Sequence, residues 1–166
     1  GLKSDGSIVT WGDNTYHQCD IPEPNTGFVD VSAGDGHSLG LKADGTVIEW
    51  GDHYFSSYPA LSPNTGFIAI VAGYDHSLAL RPDGSIEAWG YNIFGQCNVP
   101  SPNSGFVAIG AGIYQSFGIK ADGSIVAWGY NVDGELNVPS PNIDFVDVSE
   151  GRYDRAGLKS GGSMVR

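Results

Sequence analysis

A tryptophan–glycine pair recurs at Trp11, Trp50, Trp89 and Trp128, and every step is 39 residues. Phe28, Phe67, Phe106 and Phe145 keep the step, and so do Gly34, Gly73, Gly112 and Gly151. The turn pairs Asp5-Gly6, Asp44-Gly45, Asp83-Gly84 and Asp122-Gly123 keep it too, and Gly161-Gly162 continues the series. A period of this size that never loses register means a repeat architecture, in which each unit buries its apolar face on the next.

One unit reads as a meander. "FIAIVAG" (67–73) is a short apolar run rich in β-branched residues, and "HSLALR" (76–81) is a second strand. "PDG" is a hairpin turn, because Asp-Gly tolerates the positive φ that tight turns need. "SIEAWG" (85–90) is a third strand, and the rest is a Pro, Asn and Gly-rich return. A short outer strand is expected around Cys97–Val99. No stretch shows a capped 3.6-residue apolar period, so no helix is expected. Strands apolar on both faces, as at Val29, Val31, Leu39 and Leu41, suit sheets sandwiched between sheets. Small residues in the first strand, such as Asp30, Ala69, Ala108 and Asp147, suit strands crowded at a central axis. The expectation is an all-β propeller whose 39-residue blades have three to four antiparallel strands each. The chain holds about 4.3 such blades. The units run over 1–27 (partial), 28–66, 67–105, 106–144 and 145–166 (partial).

Ala72-Gly73, His76-Ser77-Leu78-Ala79-Leu80, Asp83-Gly84, Ala88-Trp89-Gly90, Asn92, Gly95-Gln96 and Asn98-Val99-Pro100 form a long pattern. It resembles the repeat of the regulator of chromosome condensation family. The short unit is most similar to the bacterial branch of that family, and within it to propeller-type β-lactamase inhibitors. The resemblance implies a seven-bladed ring, of which 166 residues would be an open arc. Residues 1–10 ("GLKSDGSIVT") and 157–166 ("GLKSGGSMVR") stand in the same phase, which also favours an arc over a closed four-bladed ring. The chain begins at Gly1 and its one methionine is Met164, so it reads as a piece of a longer chain. The resemblance further implies a protein-binding scaffold with an aromatic rim that caps a partner's protrusion.

Lys and Arg number 8 and Asp and Glu 19, for a net charge of −11. That balance argues against a nucleic-acid partner, which needs clustered cations. It also speaks against the chromatin role of the family's namesake. No apolar run approaches the roughly 18 residues of a membrane-spanning helix, so no membrane insertion is expected. No phosphate loop, nucleophile elbow or zinc-protease motif occurs, so neither catalysis nor a cofactor is expected. "HQC" (17–19) occurs once, and "NVDGE" (131–135) lacks the acidic ladder of a calcium loop, so no metal is expected. Cys19 and Cys97 have a whole unit between them, too far apart for a disulfide. The repeated Trp is read as packing between blades, with its indole N–H on backbone. His37 and His76 are read as side chains that bond a turn, because Gln115 and Asp154 replace them in later units.

Function on a repeat scaffold sits where units differ on one face. The strand directions send two loops per blade to one rim: the loop after the first strand and the loop after the third. The first carries Tyr74, Asp75, Tyr114, Arg152 and Tyr153. The second carries Asp13, Tyr16, Tyr54, Phe55, Tyr91, Phe94, Tyr130 and Asp133. The candidate partner-binding residues are Tyr54, Phe55, Tyr74, Asp75, Tyr91, Phe94, Tyr114, Tyr130 and Tyr153. Two other readings stay open: that these aromatics cover the blade ends, or that they bind a glycan. In the last unit "DRAGLK" replaces "HSLALR" and sets Arg155 where Ser38, Ser77 and Ser116 stand, the mark of a specialised or decaying blade.

Overall fold

The computed structural model describes residues 1–51, 61–150 and 155–165. Within them four units fold into consecutive three-stranded antiparallel sheets. The strands are β1 (Phe28–Ala33), β2 (His37–Lys42) and β3 (Val47–Gly51), then β4 (Ala69–Ala72), β5 (His76–Leu80) and β6 (Ile86–Gly90). The third sheet holds β7 (Phe106–Ala111), β8 (Gln115–Lys120) and β9 (Ile125–Gly129), and the fourth β10 (Phe145–Glu150), β11 (Arg155–Lys159) and β12 (Met164–Val165). Each sheet is a meander in sequence order. The register repeats as well: Ser38 faces Trp50, Ser77 faces Trp89 and Ser116 faces Trp128. These are blades of a β-propeller.

The turn chemistry explains the meander. Gly6, Gly45, Gly84 and Gly123 take φ of 77°, 79°, 77° and 75°, the left-handed region that glycine enters without steric cost. The preceding Asp accepts the N–H two residues on, as from Ser85 to Asp83 at 2.9 Å. The Ser85 hydroxyl, which donates to the same carboxylate oxygen at 2.7 Å, and then this N–H hold the Asp83 carboxyl below its ordinary pKa.

No outer strand forms at Cys97–Val99; these residues make a turn and the return behind it. The reason lies in Asn103. Its Oδ1 accepts the Ile86 N–H at 2.8 Å and its Nδ2 donates to the Ile86 carbonyl at 2.8 Å. One side chain thus satisfies both backbone groups that a fourth strand would have paired. Asn25, Asn64 and Asn142 clamp Ile8, Val47 and Ile125 in the same way. The return is closed from inside by a cation: the Lys42 ammonium lies 3.5 Å from the Phe28 ring centroid and bonds the Pro24 carbonyl at 3.1 Å. Arg81 on Phe67, Lys120 on Phe106 and Lys159 on Phe145 repeat the arrangement.

The core is divided into layers between sheets. Leu39, Leu41 and Val47 of the first sheet pack with Phe67, Ile70 and Ala79 of the second. Leu78, Leu80 and Ile86 pack with Phe106 and Trp128 of the third. Phe117, Ile119 and Ile125 pack with Phe145 of the fourth. The middle strands β2, β5 and β8 are therefore buried on both faces, as expected of sheets packed between sheets. The first strands touch in series, β1 on β4, β4 on β7 and β7 on β10, so they line the axis. Crowding there is real: a Cβ on Gly110 would lie 2.9 Å from Val148 Cγ1.

Buried polar links cross each layer. His37 Nε2 meets Ser77 Oγ at 2.9 Å, and His76 Nε2 meets Ser116 Oγ at 2.9 Å. Both histidines therefore reach a serine of the next blade. Ser116 Oγ donates in turn to the Gln96 carbonyl at 2.8 Å, which also accepts the Trp128 indole N–H at 2.8 Å. Because the hydroxyl donates there, it accepts from His76, which puts the imidazole proton on Nε2. Trp50 donates to the Gln18 carbonyl at 2.9 Å in the same manner. Trp89 departs from the backbone pattern and donates to the Glu49 carboxylate at 3.0 Å, and Trp11 is 77 % exposed.

Candidate functional site

Backbone bonds tie the two kinds of upper loop to each other. Gly90 and Gly129, with φ of 104° and 110°, turn the chain away from the third strand. Tyr91 N–H then donates to the Asp75 carbonyl at 2.8 Å, and Tyr130 N–H to the Tyr114 carbonyl at 3.0 Å. Each bond ties the second upper loop of a blade to its first. Neighbouring blades are tied as well: Asp35 N–H donates to the Tyr74 carbonyl at 3.3 Å, and Tyr74 N–H to the Gly112 carbonyl at 3.0 Å. Within the second loop, Asn92 Oδ1 accepts the Cys97 N–H at 2.8 Å and Gln96 Oε1 accepts the Phe94 N–H at 3.0 Å.

On this frame four of the candidate aromatics meet. Phe94 packs 4.9 Å from Tyr114 and 5.0 Å from Tyr130, centroid to centroid. Tyr91 lies 6.2 Å from both Phe94 and Tyr114, and Tyr114 lies 6.2 Å from Tyr130. The patch spans the seam between the second and third sheets and stays open to solvent, with Phe94 38 % exposed. Tyr74 is hydrogen-bonded to Asp35. That bond and the charges of Asp35 and Asp75 push its phenol pKa up. Asp75 is half-buried beneath Tyr91. Tyr54, Phe55 and Tyr153 lie outside the described residues.

Two residues were not singled out from the sequence. Ile93 and Val132 hold one repeat position beside the aromatic patch, and each is 72 % exposed. Their exposure is the signal, and a β-branched residue in a β-rich repeat does not announce it. Acidic residues stand on both rims, the lower turns carrying Asp5, Asp44, Asp83 and Asp122. The described Lys and Arg side chains with bonded partners, Lys42, Arg81, Lys120 and Lys159, serve the lower returns. The upper loops carry Asp13, Asp35, Asp75, Asp133 and Glu135. Among the described residues no group of three His, Cys, Asp or Glu side chains is placed to hold a metal. His17 of the "HQC" run bonds Asp20 at 2.8 Å, and Cys19 bonds the Asp13 carbonyl.

Residues 28–56 and 67–96 match the regulator of chromosome condensation (RCC1) repeat. These two stretches are RCC1 repeats by that match. Several solved structures superpose on the chain. The ectodomain of the Physcomitrella patens receptor kinase CR4 does so at 25 % identity and a TM-score of 0.71, over 98 % of this chain and 43 % of that one. The CRINKLY WD40 ectodomain of the Arabidopsis thaliana receptor kinase ACR4 gives 25 % and 0.71, over 98 % and 56 %. Prp20p of Saccharomyces cerevisiae, described with its binding properties to Gsp1p and histones, gives 20 % and 0.68, over 87 % and 45 %. The chain thus spans about half the length of these structures. No curated protein sequence matches it.

Proposed function

We propose that this RCC1-repeat chain is a non-catalytic protein-binding scaffold whose upper rim grips a protruding segment of a partner. The observation that carries the reading is the open cluster of Tyr91, Phe94, Tyr114 and Tyr130 across one blade seam. Large, stiff aromatics held on a rigid frame are the residues that dominate binding hot spots. Ile93 and Val132 widen the apolar contact. Asp35, Asp75 and Asp133 favour a partner segment bearing Lys or Arg, which would also seat on the ring faces. Prp20p, with the same blade architecture, binds the proteins Gsp1p and histones.

The test is a displayed peptide and protein library selected on the immobilised chain, with the best ligand titrated against variants. Tyr74→Ala, Tyr91→Ala and Tyr114→Ala should each weaken binding by roughly 2 kcal/mol where the residue is a hot spot, with little change in melting temperature. Ser85→Ala, on the opposite rim, should leave binding intact. Ligands indifferent to all three tyrosines, or variants that lose only stability, would overturn the reading. A glycan array with multivalent sugar binding would replace it with the lectin alternative.

A further inference from the structure

The residue after each repeated phenylalanine is apolar and β-branched, yet stands in solvent. Val29, Ile68, Val107 and Val146 hold this position and are 50–57 % exposed. A bulge turns them out. The pairing passes from Phe28–Lys42 to Asp30–Leu41, from Phe106–Lys120 to Ala108–Ile119 and from Phe145–Lys159 to Asp147–Leu158, so each valine is an extra residue against its partner strand. In the second sheet Ile68 and Ala69 both face Leu80, with the Ile68 N–H on the Leu80 carbonyl at 2.8 Å. Bulges of this kind re-aim a side chain. Folding needs no hydrocarbon there. Threonine has the same branched shape and suits water, but none of the four is threonine.

Each of these side chains has a carboxylate for a neighbour. The carbonyls of Gly6, Gly45, Gly84 and Gly123 accept the N–H of Phe28, Phe67, Phe106 and Phe145 at 2.9–3.1 Å. The Asp-Gly turn of one unit therefore lies against the start of the next inner strand, with the aspartate and the bulged residue one position from the bonded pair on either side. Asp5, Asp44, Asp83 and Asp122 are exposed, and each commits Oδ1 to its own turn. Bonds from the serine or threonine two residues on hold all four carboxyls below their ordinary pKa, so they are charged at neutral pH. The cations of the same rim are folded inward, with Lys42, Arg81, Lys120 and Lys159 on phenylalanine rings and return carbonyls. Because the inner strands touch in series, hydrocarbon and carboxylate alternate along their lower ends, once per blade.

We propose that this lower arc is a second docking surface, for a partner segment in which apolar side chains alternate with Lys or Arg. Charge selects the occupant. A second copy of this chain carries a net charge of −11, and an anionic membrane surface would meet the same four carboxylates. The surface is independent of the aromatic patch, which lies at the opposite ends of the strands.

The test titrates the full chain with synthetic peptides of alternating Leu and Lys, of Leu and Glu, and of Ser and Lys. The Leu-Lys peptide should bind saturably and the other two should not. Ile68→Thr combined with Val107→Thr should weaken that binding by about tenfold and leave the melting temperature unchanged. Asp83→Asn combined with Asp122→Asn should weaken it at low salt and flatten its salt dependence. Tyr91→Ala combined with Tyr114→Ala, on the upper rim, should leave it as it is. Leu-Lys binding indifferent to the threonine pair, or matched by the Ser-Lys peptide, would overturn the proposal. Binding lost only with the tyrosine pair would overturn it too and seat the peptide on the aromatic patch. A dimer of the chain that the threonine pair dissolves would overturn it in favour of a second copy.

Discussion

Acidification should weaken this fold through one imidazole. His76 is buried between the second and third sheets, and burial first, then the neighbouring His37, push its pKa from 6.5 down to about 4. Its Nε2 is committed to Ser116 and its Nδ1 has no partner, so the neutral ring is the form the fold accepts. The unfolded chain takes up a proton near pH 6.5, but the folded chain resists until about pH 4. The stabilisation is therefore complete above pH 6.5 and is lost as the pH falls toward 4. Linkage sets the loss at about 2 kcal/mol by pH 5 and about 3 kcal/mol once both states are protonated. Urea unfolding of the parent and of His76→Gln at pH 7.5, 6 and 5 isolates the effect. Glutamine is the fitting replacement, because Gln115 holds this repeat position one blade on and an amide can still donate to Ser116. The variant should lose about 2 kcal/mol less than the parent between pH 7.5 and 5. Parallel pH profiles for the two proteins would refute the reasoning.

Two further substitutions probe the devices that hold each blade. Asn103→Ala strips both partners from the Ile86 backbone and should cost about 2–3 kcal/mol by denaturant unfolding; Asn103→Asp, which keeps the acceptor and loses the donor, should cost about half of that. An unchanged midpoint for the alanine variant would remove the clamp from the account. A Cβ on Gly118 would sit 2.4 Å from the Phe106 ring, so Gly118→Ala should destabilise by about 1–3 kcal/mol through overpacking, read as a lowered melting temperature; a neutral result would mean the ring can slide.

What the sequence makes legible here is whatever is local and repeated. The Asp-Gly turn, the apolar middle strand and the outward path of the upper loops each follow from a few adjacent residues. The Asn clamp joins residues 17 apart, as Asn103 does to Ile86. That spacing has meaning only once the third strand and the return are known to lie side by side, and the clamp is why the strand expected at Cys97–Val99 does not form. The His–Ser link was hidden for another reason. It joins His76 to Ser116, 40 apart, so comparing like positions between units never sets the two partners together. With the link known, Gln115 and Arg155 cease to be two separate departures. They stand in the two partner positions of one link, so the change in the fourth unit accompanies a change in the third. The candidate rim was legible as topology, and its packing was not. The sequence gives no sign that Phe94 reaches across to Tyr114 and Tyr130 while Tyr74 turns to Asp35.

The two rims differ in what fixes their residues. On the lower side the fold needs particular side chains: Asn103 has to bond Ile86, and Lys120 has to lie on Phe106. On the upper side the loops are held by backbone bonds, from Tyr91 to Asp75 and from Tyr130 to Tyr114, and by Asn92 and Gln96 reaching main-chain N–H groups. None of those bonds uses the side chain at 91, 94, 114 or 130. A backbone frame of this kind accepts many side chains at equal cost, and the equivalents Ile93 and Val132 are left in solvent. The rings hold one another, Phe94 on Tyr114 and Tyr130, and the proposed partner would add a second reason for them to converge at one seam.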